Sequence, residues 1–210
     1  MKKYNFFSCR LLLVLGLTTV IFSSCGKDDA PLTFDEGVMI NGVKWATRNV
    51  DAPGTFTAKP EDAGMFYQWN RKNAWLATGE KVTGWDNTWP ACDTWGKPND
   101  PSPAGWRVPT LGEIQTLLDT DKVSNEWITQ NGIDGMKFID KTTGNSIFLS
   151  ATGCRYYGEG TLYLAGLCGC YWSSTQYDSY GACGLSFDSR KADWYYGYRS
   201  HGRSIRAVAE

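Results

Sequence analysis

Short apolar runs separated by glycine-rich turns fill the chain after Gly135, and they constrain its fold more than any other feature. The runs cover residues 137–139, 146–149, 162–164, 169–173, 184–187 and 204–208. Runs of this length, rich in aromatic and β-branched residues and bounded by turns, predict short antiparallel strands. The second half of the chain is therefore expected to consist mainly of short strands.

A hairpin is predicted near residue 40. Residues 38–46 form two short apolar segments around Asn41-Gly42. Asn-Gly is a strong two-residue hairpin signal because both positions tolerate a positive φ.

The clearest helix signal begins at Thr110. Thr110 as N-cap and Glu113 three residues later predict a capping box. The apolar residues that follow fall on one helical face: Leu111, Ile114, Leu117 and Leu118. A second, shorter helix is predicted within residues 121–132. Helices early and strands late predict an α+β fold with many ordered loops.

Two long segments, 52–62 and 78–103, are rich in Pro, Gly, Asp, Asn and Thr and are expected to be ordered loops. The second loop carries Trp85, Trp89 and Trp95. Tryptophan is costly to leave in water, so these side chains are expected to pin the loop onto the core.

The N-terminus predicts a lipoprotein signal peptide over residues 1–24. A basic segment precedes the apolar run 11–22, which is shorter than the ~20 residues that a membrane-spanning helix needs. The small residues directly before Cys25 resemble a bacterial lipobox, which implies that Cys25 is acylated. Residues 25–36 would then be a tether and 37–210 the folded domain. An ordinary secretory signal with an incidental Cys is the alternative.

The residues after Cys25 and the charge balance bear on location and partners. Gly26-Lys27-Asp28-Asp29 resembles the short acidic export tag of Bacteroidetes lipoproteins, so an outer-membrane lipoprotein exposed at the cell surface is expected. The chain has 21 Lys plus Arg against 22 Asp plus Glu, and three of the basic residues lie in the leader. The domain is therefore acidic, and no nucleic-acid partner is expected.

Five cysteines remain beyond Cys9 of the leader and Cys25. They are Cys92, Cys154, Cys168, Cys170 and Cys183. An odd number cannot pair completely within one chain, although an oxidising export route is compatible with one or two disulfides. Buried, inert thiols are the alternative, and the spacing matches no zinc motif. Cys168 and Cys170 lie two apart in a predicted strand and should share a face.

Six segments, in order along the chain, resemble one family. They read WATRNV from residue 45, FYQW from 66, PAGWRVPT from 103, FLSATG from 148, YWSST from 171 and RSHGRSIR from 199. They resemble the Fibrobacter succinogenes major paralogous domain, common in Bacteroidetes lipoproteins, over residues 38–208. The resemblance implies a C-type lectin-like fold shared with formylglycine-generating enzymes. Ser102 departs from it, because such proteins often carry Cys there.

The resemblance carries no catalytic residue over to this chain. Segments 98–100 and 85–87 lack the arrangement of calcium-dependent lectins, and the cysteines near the C-terminus do not reproduce the copper-binding thiol pair of formylglycine-generating enzymes. The only histidine, His201, lies in a Gly- and Ser-rich loop and is expected to be a surface residue rather than a general base. We expect no enzymatic activity, no metal and no cofactor. The alternative is an enzyme or carbohydrate-processing accessory of the formylglycine-generating-enzyme-like class.

The C-terminal stretch 171–203 predicts a binding surface. Sixteen of its 33 residues are Tyr, Ser or Gly, a composition typical of antibody paratopes, where Tyr gives contact area with few rotatable bonds. We expect a protein or glycan ligand to be recognised by loops in this stretch. The predicted contact residues are Tyr177, Asp178, Tyr180, Cys183, Gly184, Ser186, Asp188, Asp193, Tyr195, Tyr196, Tyr198 and His201. Packing of the fold is the competing interpretation.

This stretch also resembles the variable region of proteins diversified by retroelements. Adenine-directed mutagenesis of Asn codons excludes Met, Gln, Lys, Glu and Trp from the products. From 177 to 210 these five types occur only as Lys191, Trp194 and Glu210. The deficit agrees with a variable protein, although a Tyr-rich region would show part of the same bias.

Overall fold

A computed structural model describes residues 32–90 and 92–210. The predicted signal peptide, Cys25 and residues 25–31 of the predicted tether lie outside the described residues. The described part contains one α-helix, α1 Leu111–Leu118, and a 3-10 turn, Lys97–Asn99. Its strands are β1 Val38–Ile40, β2 Val43–Trp45, β3 Met65–Tyr67, β4 Ala74–Leu76, β5 Trp106–Arg107, β6 Val123–Gln130, β7 Ile133–Asp140, β8 Ser146–Ser150, β9 Cys154–Arg155, β10 Leu162–Tyr163, β11 Cys168–Gln176, β12 Gly181–Asp188, β13 Ala192–Tyr198 and β14 Val208–Ala209.

The strands form five small antiparallel sheets. Their orders are β1-β2-β14-β5, β3-β4, β6-β7-β8, β9-β10 and β11-β12-β13. In the first sheet, Val208 of β14 pairs with Trp45 of β2 on one side and Arg107 of β5 on the other. The last strand of the chain therefore joins the N-terminal hairpin to the segment that leads into α1.

The predicted α+β fold is wrong, because the structure is mostly β with a single helix among the described residues. The segment predicted as a second helix, 121–132, instead forms β6, which pairs with β7 along its whole length. Asn131 and Gly132 connect the two strands with φ of 50° and 84°. This is the same Asn-Gly signal as at Asn41, and it outweighs a weak helical pattern because it fixes the register of the pair.

Other local predictions are confirmed. Asn41 and Gly42 turn with φ of 44° and 81° between β1 and β2. The Thr110 hydroxyl accepts from the Glu113 amide at 3.2 Å, and the Glu113 carboxylate accepts from the Thr110 amide at 2.7 Å. Arg107 holds the same carboxylate in a two-point contact of 2.6 and 2.8 Å. Glu113 thus joins α1 to β5.

Two apolar clusters form the core. One joins α1 to β6–β8 and to the inner face of β11 and β12, where Leu185 and Phe187 are buried. The other surrounds Trp69 and Trp172 and contains Trp95, which confirms that this loop tryptophan packs onto the core. Val208 is buried in the first cluster and Ile205 in the second.

Three buried arginines hold the long loops by donating to backbone carbonyls. Arg155 donates to the carbonyls of Leu76, Thr78, Gly79, Glu80 and Gly160. Arg199 donates to those of Pro90, Cys92, Asp178 and Gly181. Arg206 donates to Asn49 Oδ1 and to the carbonyls of Ala46, Thr47, Pro60 and Phe148. Since irregular segments have no sheet partners, these guanidinium groups satisfy carbonyls that would otherwise be unpaired.

Candidate functional site

The outer face of the β11-β12-β13 sheet forms one wall of an open cavity of about 860 Å³. Cys170 on β11 pairs with Ser186 on β12, which pairs with Asp193 on β13. Residues directly opposite one another project from the same face of a sheet, so these three side chains lie together. The loops around β9 and β10 and the segment after β13 supply the other walls, through Tyr156, Tyr163 and His201.

Aromatic rings line the rim of the cavity in two groups. In the first, Tyr196 stacks on Tyr177 at 4.2 Å between ring centroids and on Tyr195 at 5.4 Å. In the second, Tyr198 stacks on His201 at 6.0 Å and on Trp89 at 6.1 Å. Mutual stacking limits the rotamers that each ring can adopt, so the rim presents preformed faces.

The backbone positions this rim through turns and strand pairing. The Asp178 carboxylate accepts from the amides of Tyr180 at 2.8 Å and Gly181 at 2.6 Å, which closes the turn between β11 and β12. Arg199 holds the Asp178 carbonyl from below at 2.6 Å. Trp89 reaches the rim because its indole N–H donates to Ser200 Oγ at 2.9 Å. The rim is therefore attached to the scaffold at several points.

The floor of the cavity carries three thiols. Cys168 Sγ and Cys170 Sγ are 3.9 Å apart on β11, which confirms that they share a face. Cys154 joins them because Gly153 bridges Gly169 in parallel, which brings the start of β9 beside β11. The five cysteines of the described residues are all thiols, without a disulfide.

The thiols share their protons unequally. Hydrogen bonds from Cys154 and Cys168, together with the nearby Arg203 charge, hold the pKa of Cys170 well below its usual range. The same hydrogen bonds and burial raise the pKa of Cys154 and Cys168. The thiolate is the nucleophilic form of cysteine, so the lowered pKa makes Cys170 a candidate nucleophile at the floor of the cavity. No group of three His, Cys, Asp or Glu side chains within the described ranges is placed to hold a metal ion.

Arg203 lies behind the thiols with its guanidinium carbon 4.3 Å from the ring centre of Trp172. Glycines make room for it: a Cβ at Gly197 would lie 2.0 Å from Arg203 Nη2, and one at Gly184 3.2 Å from Nη1. Burial and the Arg203 charge lower the pKa of His201 to about 4. His201 is therefore a neutral ring at physiological pH.

Nine of the twelve predicted contact residues line this cavity, a placement that the sequence alone did not establish. They are Asp178, Tyr180, Ser186, Asp188, Asp193, Tyr195, Tyr196, Tyr198 and His201. Tyr177 supports Tyr196 from the side. Cys183 and Gly184 are buried in β12 beneath the cavity and do not line it.

The prediction that loops present these residues is wrong in part. Asp193, Tyr195, Tyr196 and Tyr198 all lie on β13, which pairs with β12 over residues 192–198. At its end, Gly181 pairs with Tyr198 and Ala182 pairs with Gly197. β13 is an edge strand whose residues are mostly exposed to water. Its small, polar and aromatic residues therefore give it a composition similar to that of a loop.

Several site residues escaped sequence reasoning. Trp89 was expected to pack onto the core but is 42% exposed at the rim. Tyr156 follows β9 and Tyr163 lies on β10, and Cys154 and Arg203 meet only through tertiary contacts. A weak signal existed for Trp89, because an aromatic residue in a polar loop needs a partner. For Arg203 the sequence offered none, since its neighbours Arg199 and Arg206 have an entirely structural role.

Comparison with known proteins gives one match. Residues 111–208 match the model of a family described as a domain of unknown function, DUF8237. The matched part runs from α1 to β14 and includes the three thiols, Arg203 and all of β13. No curated protein and no solved structure matches the chain. The similarity therefore covers the C-terminal half of the chain.

Proposed function

We propose that this protein is a surface-displayed lipoprotein that binds the terminal part of a glycan in the aromatic cavity and does not transform it. The cavity of about 860 Å³ supports this proposal, because pockets of roughly 300–1,000 Å³ are typical of sites for small molecules. A flat protein partner would need a contact surface of about 1,000 Å² or more, without a concave centre.

The observation that carries the proposal is the exposure of three tyrosine side chains on β13, a strand whose backbone is paired with β12. Tyr195 is 57% exposed, and Tyr196 and Tyr198 are similarly open to solvent. Large rings in water are unfavourable for folding alone, and clustered exposed apolar surface marks interaction sites. Tyrosine combines an apolar face with a hydroxyl, and Asp178 and Asp193 add acceptors for sugar hydroxyls.

A triple substitution tests binding. Tyr195, Tyr196 and Tyr198 are changed together to Thr, which removes the rings and retains a residue suited to a strand. Binding to glycans identified on an array should fall at least a hundredfold, because aromatic anchors often contribute ~2 kcal/mol or more each. The control is Met39→Ser, an exposed apolar residue on β1 away from the cavity. Equal binding by the triple variant and the control would contradict the proposal.

Membrane attachment is proposed to depend on Cys25. None of the described helices is long and apolar enough to cross a membrane. Cys25→Ser removes the proposed acylation site, so fractionation of cells should move the protein from the membrane to the soluble fraction. Persistent attachment of the variant would contradict the lipoprotein assignment. Proteolysis of intact cells then reports whether the wild-type domain is displayed outside.

Retroelement diversification of residues 177–210 remains part of the proposal. Nine of the contact residues predicted within this stretch line the cavity. A variable binding site requires such an arrangement, because its diversified residues must face the ligand. Sequencing of the genomic neighbourhood tests it directly. A reverse-transcriptase gene with a near-identical template repeat is expected, and an uninterrupted neighbourhood without either would contradict diversification.

A thiol-dependent enzyme is the second candidate, favoured by the lowered pKa of Cys170 at the floor of the cavity. Incubation of the bound glycan with the protein, followed by mass spectrometry, separates the two candidates. Recovery of unchanged glycan agrees with binding alone. A new product that requires Cys170, and disappears in Cys170→Ser, would establish the enzyme instead.

A further inference from the structure

Four buried arginines lie in the C-terminal half, and one of them differs from the rest. Arg155, Arg199 and Arg206 each donate at least four hydrogen bonds to oxygen atoms. Arg203 is only 5% exposed, yet its guanidinium makes none to the described residues. Its Nε and Nη1 are buried without any partner there. An unpaired buried donor of this kind costs free energy in the folded state.

Arg203 is also without a carboxylate partner. No salt bridge of residues 32–90 and 92–210 includes it. The contact with Trp172 stabilises the cation through the ring face but leaves all its N–H groups unused. The Cys170 thiol, whose pKa the Arg203 charge helps to lower, makes no hydrogen bond with the guanidinium. A buried cation whose N–H groups lack acceptors is unfavourable, so an anion that accepts from them is expected when the site is occupied.

The surroundings of Arg203 are built to keep it accessible from the cavity. It lines the cavity with Cys154, Cys168, Cys170 and His201. Glycines at 184 and 197 leave space where any side chain would meet its Nη atoms. His201 is neutral, with its pKa lowered to about 4, and so does not compete for an anion. The cavity therefore ends at a cation whose N–H groups have no acceptor among the described residues.

We propose that Arg203 is the recognition residue for a carboxylate on the ligand, so that the cavity selects acidic sugars over neutral ones. This inference rests on the proposed function and adds the ligand class. The planar fork of a guanidinium matches the two oxygens of a carboxylate, and its Nε and one Nη donate in parallel. The pairs that can donate in this way are Nε with Nη2 and Nη1 with Nη2. No Arg203 nitrogen has an acceptor among the described residues, and Nε and Nη1 are buried as well.

The charges around the cavity favour a single negative charge. Besides Arg203, the lining contains Lys191 and the carboxylates of Asp178, Asp188 and Asp193. Asp188 is paired with Arg190 at 2.7 Å, and Lys191 lies 3.9 Å from Asp193. A phosphate dianion would meet these carboxylates with twice the charge of a carboxylate group, so repulsion selects against it. Sugar acids satisfy both the ring-lined rim and the cationic end.

Calorimetry with matched probes tests the proposal. Glucuronate, its neutral methyl ester and benzoate are each titrated into the full chain at fixed ionic strength. Glucuronate should bind at least tenfold more tightly than the ester. Arg203→Met should abolish this preference, and Arg203→Lys should reduce it severalfold, because an ammonium keeps the charge without the fork. Lys122→Met, an exposed site on the turn before β6, controls for the change in net charge.

Each outcome decides the matter. Equal binding of glucuronate and its ester overturns the carboxylate site but leaves the aromatic cavity as a sugar site. If neither sugar binds, the glycan proposal fails, and the benzoate titration then tests Arg203 alone. Benzoate binding that is lost in Arg203→Met supports the carboxylate site. Absence of saturable benzoate binding to the wild type overturns it. If Arg203→Met does not fold, Arg203→Lys provides the same comparison.

The Cys170 thiolate is the competing counter-charge. Cys170→Ser removes it and should leave glucuronate binding unchanged or tighter, since one competitor for Arg203 has gone. If the wild type shows no preference for glucuronate and Cys170→Ser acquires one, the thiolate is the partner of Arg203 and the proposal is overturned.

Discussion

The buried arginines and the rim tyrosines occupy the same C-terminal half and do opposite things. Arg155, Arg199 and Arg206 are fully enclosed and hold loops through carbonyl oxygens, whereas Tyr195 and its neighbours on β13 stand in water. Polar side chains thus form much of the inside here, and aromatic ones much of the surface. The difference shows that hydrogen-bonding demand acts beside hydropathy in deciding where a residue lies in a loop-rich fold.

Arg206→Met should have the largest effect on stability. The change removes five hydrogen bonds from a side chain that is 1% exposed and leaves their acceptors buried without donors. Losses of this kind exceed about 4 kcal/mol, so the variant is expected not to fold. Circular dichroism and thermal melting measure this, with exposed Arg190→Met as the control whose Tm should not change. A fully folded Arg206→Met would remove the distinction between scaffold arginines and surface residues.

Trp172→Ser should be the next most damaging change. Trp172 is completely buried, its indole donates to the Tyr67 carbonyl at 2.7 Å, and it supports Arg203. Truncation of a core tryptophan costs about 3–5 kcal/mol. Denaturant unfolding should show this loss, and any failure of ligand binding should follow unfolding. A stable Trp172→Ser protein that merely fails to bind would place Trp172 with the rim residues instead.

His201 lies between the two regions, and its pKa makes a pH-dependent prediction. Because the folded pKa of about 4 lies below the ordinary value of 6.5, the unfolded chain binds more protons between these values. The group therefore destabilises the fold as pH falls from 6.5 towards 4. As pH falls over that interval, the free energy of unfolding should decrease by about 1–3 kcal/mol less in His201→Gln than in the wild type. Parallel pH profiles of the two proteins would show instead that the ring is solvated.

The rim substitution should have the smallest effect on stability. Changing Tyr195, Tyr196 and Tyr198 to Thr should leave each site within ~0.5 kcal/mol of wild type, because solvent-facing changes away from special backbone features usually do so. Melting temperature checks this independently of binding. A large drop would mean that the stacked rings are part of the core, and the rim would no longer be separable from the scaffold.

Local signals in the sequence were correct where one short motif dictates geometry. The Asn41-Gly42 hairpin, the Thr110–Glu113 capping box and most of the later strands follow from such motifs. The predicted second helix was wrong because the Asn131-Gly132 turn pairs β6 with β7, and this turn outweighs the short helical pattern before it. The strand nature of β13 was missed since an edge strand with exposed rings has the composition of a loop.

By itself, the sequence determined the turns and the helix cap, because these depend on neighbours a few positions apart. Only the tertiary structure decided which distant residues meet. Trp89 reaches Tyr198, Cys154 reaches Cys170 and Arg203 reaches the floor of the cavity across long stretches of chain. Four similar arginines acquired two roles for the same reason: three were surrounded by carbonyl oxygens and one was not, and no local pattern records which side of a folded loop offers its carbonyls.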